Sequence, residues 1–287
     1  MPPHAELDAI RATISAWLET LKNETLLIFD LGASNDPIVA GPRTATLAFE
    51  PVVHERIVPR PQMLVVPAAV AAADSFARMT VMGDAREMSS SLASASDEAV
   101  ASSQGWSKAK RHVRVPVLAL ATVVALVPPR IHLWLLKSDL QGHDASALSS
   151  LGPELLRRAH YIEMEVSLFS VPSYGCTTSA CNDFCKDARP LLQGAGFDFI
   201  ALQNEHVQKY HALLRGGWSG AGAACAGGGQ LEPRNASRLR VGRDNEANVF
   251  ARRNDTRMPK PYTEIRWPCF NRNFLCGPGR RRLSEIL

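Results

Sequence analysis

Cysteine is scarce in this chain, with six in 287 residues. That density excludes a small disulfide-stapled scaffold, which needs several bridges in a short length of chain. Long hydrophobic runs are also missing. The longest, Val115 to Val127, has 13 residues and is stopped by Pro128-Pro129-Arg130. A membrane-spanning helix needs about 20, so this run is expected in a buried core. The stretch Met1 to Lys22 lacks the continuous apolar segment of a secretory signal. After the first apolar strand the sequence reads Gly32-Ala-Ser-Asn-Asp-Pro37, without the second and third glycines of G-x-G-x-x-G. That argues against a dinucleotide fingerprint. The default expectation is a soluble cytoplasmic protein with reduced thiols and no membrane partner.

What is present is ordinary globular material, 46% hydrophobic and 21% charged, which excludes collagen-like or wholly disordered chains. The net charge of +4 is unevenly spread: residues 230–287 carry 13 Lys/Arg and 6 Asp/Glu, net +7, which leaves −3 for the rest. The basic character belongs to the C-terminal fifth. A basic tail can contact nucleic acid, but no recognised nucleic-acid motif accompanies it, so a nucleic-acid partner is not expected.

Leu7, Ile10, Ile14, Trp17, Leu18 and Leu21 recur at helical spacing and predict an amphipathic helix over 5–22. Apolar runs then predict strands at Thr25–Gly32, Thr44–Glu50, Met63–Val70, Ile131–Asp139, Tyr161–Phe169 and Phe197–Leu202. Phe76–Met82 reads as a further strand, antiparallel to its neighbours. Arg114–Leu120 has weak strand character, and Glu246–Arg253 suits a last strand. Helices are predicted over Ala121–Leu126, from Gln141 to about Arg158 with a break at Pro153, and over Thr178–Leu192. Residues 84–105 are Ser/Ala-rich, and 216–229 form a Gly/Ala-rich linker. Strands alternating with helices imply a parallel sheet covered by helices on both faces.

Three predicted strands end in a carboxylate: Asp30, Glu50 and Asp139. In open α/β sheets ligands bind outside the carboxyl ends of the strands, so one cleft should collect these acids. Glu50 is placed to accept hydrogen bonds from both hydroxyls of a ribose. Gly32, lacking a Cβ, lets a ligand approach the backbone. Asp30 suits an ammonium or sulfonium better than a pyrophosphate, which favours S-adenosylmethionine over NAD. A plain alternative is that the three acids only cap turns at strand ends.

The series Ile28-Phe-Asp-Leu-Gly-Ala-Ser-Asn35, Leu47-Ala-Phe-Glu50-Pro51, Val65-Val-Pro-Ala-Ala-Val70 and Leu136-Lys137-Ser-Asp139-Leu-Gln141-Gly142-His-Asp144 resembles the FkbM family of S-adenosylmethionine-dependent methyltransferases. Ile162-Glu-Met-Glu165-Val-Ser, Tyr174 and Gly196-Phe197 continue the resemblance, which spans roughly Leu26 to Leu202. It implies an α/β, Rossmann-like methyltransferase fold with a mostly parallel seven-stranded sheet. The implied activity is methyl transfer to a hydroxyl of a small molecule or glycan. Asp30, Gly32, Ala33, Asn35 and Glu50 would bind the cofactor. Asp139, His143 and Asp144 are candidates for the base that takes the hydroxyl proton. Residues 1–24 then form an N-terminal helix and 25–215 the methyltransferase domain. The remainder divides into a Gly-rich insertion at 216–245, a last strand at 246–253 and a basic tail at 254–287. The sequence departs from the family pattern after Asp30, where the second Gly is lost. Few residues separate Asp30 from Glu50, and Pro37, Gly41 and Pro42 fall among them. That shortening motivates the alternative of a non-catalytic binding or scaffold protein that keeps the fold.

Cys176, Cys181 and Cys185 lack the paired spacing and following histidine of a structural zinc site. They are expected to be ordinary thiols, and no metal is expected. The sequence leaves the methyl acceptor and the oligomeric state open.

Overall fold

Two apolar hexapeptides, Leu26–Leu31 (β1) and Thr44–Phe49 (β2), are buried along their whole length. Strands covered on both faces of a parallel sheet read as such continuous apolar runs. They belong to a computed structural model that describes residues 3–23, 25–34, 37–38, 43–52, 60, 62–82, 91–92, 109–167, 182–197, 199–203 and 246–253. β1 and β2 pair in parallel within a seven-stranded sheet. The other described strands are Met63–Val66 (β3), Ala69–Ala71 (β4), Ser75–Met82 (β5), Ala109–Ala119 (β6), His132–Ser138 (β7), Tyr161–Ser167 (β8), Phe199–Gln203 (β9) and Glu246–Arg252 (β10).

The large sheet runs β3-β2-β1-β7-β8-β10-β9. Pairings are parallel from β3 to β8, and β10 is antiparallel to both β8 and β9. The fold is therefore mixed α/β with a mostly parallel sheet. A second, three-stranded sheet, β4-β6-β5, stands beside it. The predicted strand Met63–Val70 is in fact two strands. Pro67, which has no N–H to give a ladder, separates β3 in the large sheet from β4 in the small one.

The core lies on one face of the large sheet. Leu27, Phe29 and Leu31 of β1, Leu47 and Phe49 of β2, and Ile162, Met164 and Val166 of β8 point into it. Against them pack Leu7, Ile14 and Leu18 of Pro3–Thr20 (α1), and Leu120, Val123 and Val124 of Leu120–Leu126 (α2). Asp144–Ser149 (α3), Gly152–Leu156 (α4) and Arg189–Gly194 (α5) complete that layer. The helix expected from Gln141 to Arg158 is thus two short ones, divided at Gly152, whose φ of +62° breaks the run, followed by Pro153. Of the helix expected over Thr178–Leu192, residues 178–181 lie outside the described residues. Asn182 has a φ of +59° and Asp183 caps a π-helical turn, Phe184–Ala188, that leads into α5.

Among the described residues no helix covers the opposite face, where helices were also expected. There Ile38 packs with Leu26, Ile28, Trp134, Leu135 and Tyr161. Ile38 is the described residue of the short, proline-containing segment between β1 and β2 that joins this cluster. No described helix is long and apolar enough to cross a membrane. Cys185 is disulfide-bonded, which corrects its expectation as an ordinary thiol; the partner lies outside the described residues, as do Cys176 and Cys181. Disulfides persist in oxidising surroundings, so this residue lends no support to a reducing compartment. The Gly-rich insertion, Tyr174 and the basic tail also lie outside the described residues.

Candidate functional site

Side chains alternate across a strand, so neighbouring strands in register line up every second residue on one face. On the face away from the main core, the pairings Asp30↔Lys137 and Lys137↔Glu163 set three charged groups in one row across β1, β7 and β8. Asp30 is 1% exposed and its Oδ1 lies 3.0 Å from Lys137 Nζ. Its Oδ2 accepts a 2.8 Å hydrogen bond from the Ile38 amide. Lys137 Nζ also donates to the Gly32 carbonyl at 3.2 Å and stands 3.8 Å from Asp139 Oδ2. Burial opposes the lysine charge, but Asp30 and Asp139, with Glu163, raise its pKa above the usual value. Glu163 is half-buried; burial pushes its carboxyl up to about 7 against the lowering pull of Lys137. A buried charge without a partner would cost several kcal/mol, and this row satisfies that need internally.

At the strand ends the backbone turns on itself. The amides of Gly32 and Ala33 both donate to the Phe49 carbonyl at 3.0 Å, and the Asp139 amide donates to the Leu31 carbonyl at 2.9 Å. Gly32 has a φ of +76°, and a Cβ there would stand 2.0 Å from the Asp139 carbonyl oxygen. The close approach that demands glycine here is to the neighbouring strand end. Glu50, 8% exposed, accepts the Ser34 amide on Oε2 and the Val52 amide on Oε1, each at 2.8 Å. Burial raises its pKa, opposed by those two amides. Each carboxylate oxygen can accept more than one hydrogen bond, so Glu50 retains capacity for a ligand. Ala33 is buried beside it at 4% exposure; Asn35 lies outside the described residues.

The segment after β7 supplies the third acid. Asp139 has a side chain 36% exposed, and its Oδ1 accepts from Gln141 Nε2. Gln141 and Gly142 have φ of +52° and +96°. Ser34, also at the strand ends, has a φ of +51°. Left-handed non-glycine residues of this kind collect at functional sites. His143 follows; its buried Nε2 has no hydrogen-bond partner among the described residues, and burial lowers its pKa, so the neutral imidazole prevails at pH 7. Asp144 is 0% exposed. Its Oδ1 accepts from Ser138 Oγ at 2.6 Å and the Leu140 amide at 2.9 Å, and its Oδ2 from Asn182 Nδ2 at 3.1 Å. Burial pushes its pKa up to about 6 despite the hydrogen bonds. It was expected at the cleft, but the structure seals it beneath the loop, where it acts as a tie.

Asn182 is the other end of that tie. Its Nδ2 also donates to the Glu165 carbonyl at 2.8 Å, its Oδ1 accepts the Ala145 amide at 2.8 Å, and its backbone carbonyl accepts the Ser167 amide at 2.7 Å. One side chain thus joins the start of α3 to the end of β8. The sequence singled out neither Asn182 nor Glu163. A lysine inside the buried run Leu133 to Leu136-Lys137 was a visible signal; for Asn182 there was none, because its role exists only in three dimensions.

The structure therefore brings Asp30, Gly32, Ala33, Glu50 and Asp139 to one end of the large sheet, with Lys137 at their centre. His143 stands on the adjoining loop. Three carboxylates around one ammonium leave a negative field there. Among family models, the methyltransferase FkbM domain matches residues 32–199, more than half of the chain. No curated protein and no solved structure matches it.

Proposed function

The chain belongs to the FkbM methyltransferase family, and on that footing we propose that it moves a methyl group from S-adenosylmethionine to a hydroxyl of a small molecule or glycan. The carrying observation is the convergence of Glu50, Asp30 and Asp139 at adjacent strand ends, around Lys137. The strand order, with an antiparallel strand inserted next to the edge, supports a Rossmann-like methyltransferase fold.

The residues present suit the cofactor chemically. Their net negative field favours a cation over a neutral ligand, and Glu50 keeps acceptor capacity for ribose hydroxyls. When bound, S-adenosylmethionine supplies an electrophilic methyl group on a sulfonium. Lys137 fixes Asp30 and the turn at Gly32, so the strand ends are rigid before any ligand arrives. Asp139, part-exposed, can hold the proton that a hydroxyl acceptor must lose, and His143, neutral but with its unpartnered Nε2 buried, is the second candidate. The buried Asp144–Asn182 tie positions both by fixing the loop between β7 and α3.

Calorimetry with S-adenosylmethionine and S-adenosylhomocysteine tests this reading. Binding is expected, and Glu50→Ala should weaken it about tenfold or more, since charge-assisted hydrogen bonds contribute about 1.5–3 kcal/mol each. Folded protein that binds neither compound would defeat the enzyme reading. A second reading, a scaffold that keeps the fold without catalysis, draws on one observation: the Gly32 and Ala33 amides and both Glu50 oxygens already have backbone partners. Intact folding with no cofactor affinity would favour it.

A further inference from the structure

The three-stranded sheet reaches the strand-end site through one side chain. Ser91 lies in the Ser/Ala-rich stretch between β5 and β6. Its amide and carbonyl exchange hydrogen bonds with Thr80 of β5, at 3.1 and 2.9 Å. Leu92, the next residue, packs against the apolar cluster of the same sheet, with Met79, Val115 and Val117. Consecutive residues of an extended segment face opposite ways, so Leu92 turned into that cluster leaves the Ser91 side chain turned away from it. Ser91 is 1% exposed, and its Oγ donates to the Gln141 carbonyl at 2.7 Å. The backbone of Ser91 is therefore held by one sheet while its hydroxyl serves a loop of the other.

That loop bears both candidate proton acceptors. Gln141 and Gly142 have left-handed backbone, with φ of +52° and +96°. For a residue other than glycine this conformation is costly and persists only where its surroundings impose it. Asp144 fastens the loop at Leu140 by accepting that amide at 2.9 Å. Ser91 fastens it at the next residue, where the backbone turns left-handed. Gln141 Nε2 in turn donates to Asp139 Oδ1 at 2.5 Å, and Asp139 Oδ2 stands 3.8 Å from Lys137 Nζ. Two groups thus aim the Asp139 carboxylate, and one of them, Gln141, is placed by Ser91. His143 follows two residues on, its Nε2 buried and without a partner among the described residues.

We propose that Ser91 is a positioning residue for methyl transfer: its hydroxyl holds Gln141 in the conformation that aims the Asp139 carboxylate and keeps His143 buried. The proton-accepting end of the site then depends on a residue outside the large sheet. A small hydroxyl suits the task, because it donates to a carbonyl in a space closed to solvent. Alanine there would leave the Gln141 carbonyl one donor short, and a buried polar group that loses its partner is costly. The inference rests on the methyltransferase reading for the task of Asp139 and His143; the hold of Ser91 on the loop does not depend on it.

The test compares the full-length ¹⁵N-labelled chain with Ser91→Ala, Ser91→Thr and a control, Ser150→Ala, which removes a similar hydroxyl bond of 2.6 Å to the Ala147 carbonyl at the end of α3. Four quantities are read: amide hydrogen exchange, the Gln141 side-chain amide signal, the titration of the His143 imidazole, and S-adenosylmethionine binding by calorimetry. Ser91→Ala should speed exchange over residues 140–143 and move the Gln141 amide signal toward that of free glutamine. The His143 pKa, which burial depresses, should rise toward its ordinary value. Cofactor binding should weaken about two- to tenfold, the scale of one neutral hydrogen bond. Ser91→Thr keeps the hydroxyl and should restore all four readings, whereas Ser150→Ala should change none. If Ser91→Ala does not fold, Ser91→Cys, similar in size but a weaker donor, takes its place. A merely structural role would lower the melting temperature and leave the loop signals unmoved. Loop signals or cofactor affinity unchanged in Ser91→Ala would overturn the proposal, as would equal changes in Ser150→Ala or a failure of Ser91→Thr to restore them. Loop signals that respond as expected in a native protein that binds no S-adenosylmethionine would sink the methyltransferase reading and leave the hold of Ser91 on the loop standing.

Discussion

The two faces of the large sheet are made by alternate residues of the same strands, yet they do different work. Phe29 and Leu31 enter the core while Asp30 between them meets Lys137. Ile162 and Met164 enter it while Glu163 joins the charged row. One face is held by apolar burial, which is non-directional and tolerant. The other is held by ions whose worth depends on every partner being present. A displacement of one residue along any of these strands would exchange the two sets, so the charged row also fixes the register of the apolar one.

That comparison can be broken from either side. Lys137→Met should destabilise by about 3–5 kcal/mol, the loss seen when one partner of a buried pair is removed. Phe29→Ala should cost a similar amount, about 3–5 kcal/mol, through the cavity it leaves. Adding Asp30→Asn should restore much of the first loss and none of the second, read by denaturant unfolding. If the double variant is simply additive, the pair is not coupled. Gly32→Ala comes next. An alanine in the left-handed region costs about 1–2 kcal/mol, and here the methyl also meets the Asp139 carbonyl. Gly152→Ala is the control, since its φ is +62° and nothing lies within 4 Å of the added carbon. Gly32→Ala should therefore lose more stability than Gly152→Ala, and cofactor affinity as well; equal losses would show that the two strand ends separate freely.

A smaller effect is expected with pH. The Glu163 carboxyl, raised to about 7 in the folded protein from an ordinary 4.5, binds more protons folded than unfolded between those values. Its contribution is full below the unfolded value and lost as pH rises through about 7. The melting temperature of the native protein should thus fall relative to Glu163→Gln on going from about pH 5 to about pH 8. A difference that stays constant would contradict the shift. The smallest effect is expected in the small sheet, where Arg78 of β5 lies directly opposite Arg114 of β6: Arg78→Thr should stabilise by at most about 1 kcal/mol, because it removes a like-charge pair. Destabilisation there would mean that the arginine has a structural partner.

Much of the architecture could be read from the chain. β1, β2, β7 and β8 are continuous apolar runs, and Glu246–Arg252 was anticipated within a residue. Boundaries failed where local chemistry overrode the pattern. Pro67 divides one predicted strand between two sheets, and Asn182 and Asp183, expected inside a helix, have non-helical backbone. For the site, the strand-end positions of Asp30, Glu50 and Asp139 were legible because a turn follows each run. Their partners were not. Whether Asp30 meets Lys137, or Asp144 meets Asn182, depends on strand order and register, which no local window contains.

The insertion of β10 between β8 and β9 has a consequence for how the molecule assembles. Among the described residues β9 is hydrogen-bonded in the sheet through β10 alone, so at Gln203 the growing chain has a strand with no described ladder to join. Until Glu246–Arg252 arrives, β8 presents a bare edge, the kind that recruits other chains. Such long-range closure is slow, so the last strand acts as a latch whose late arrival decides between a finished sheet and aggregation.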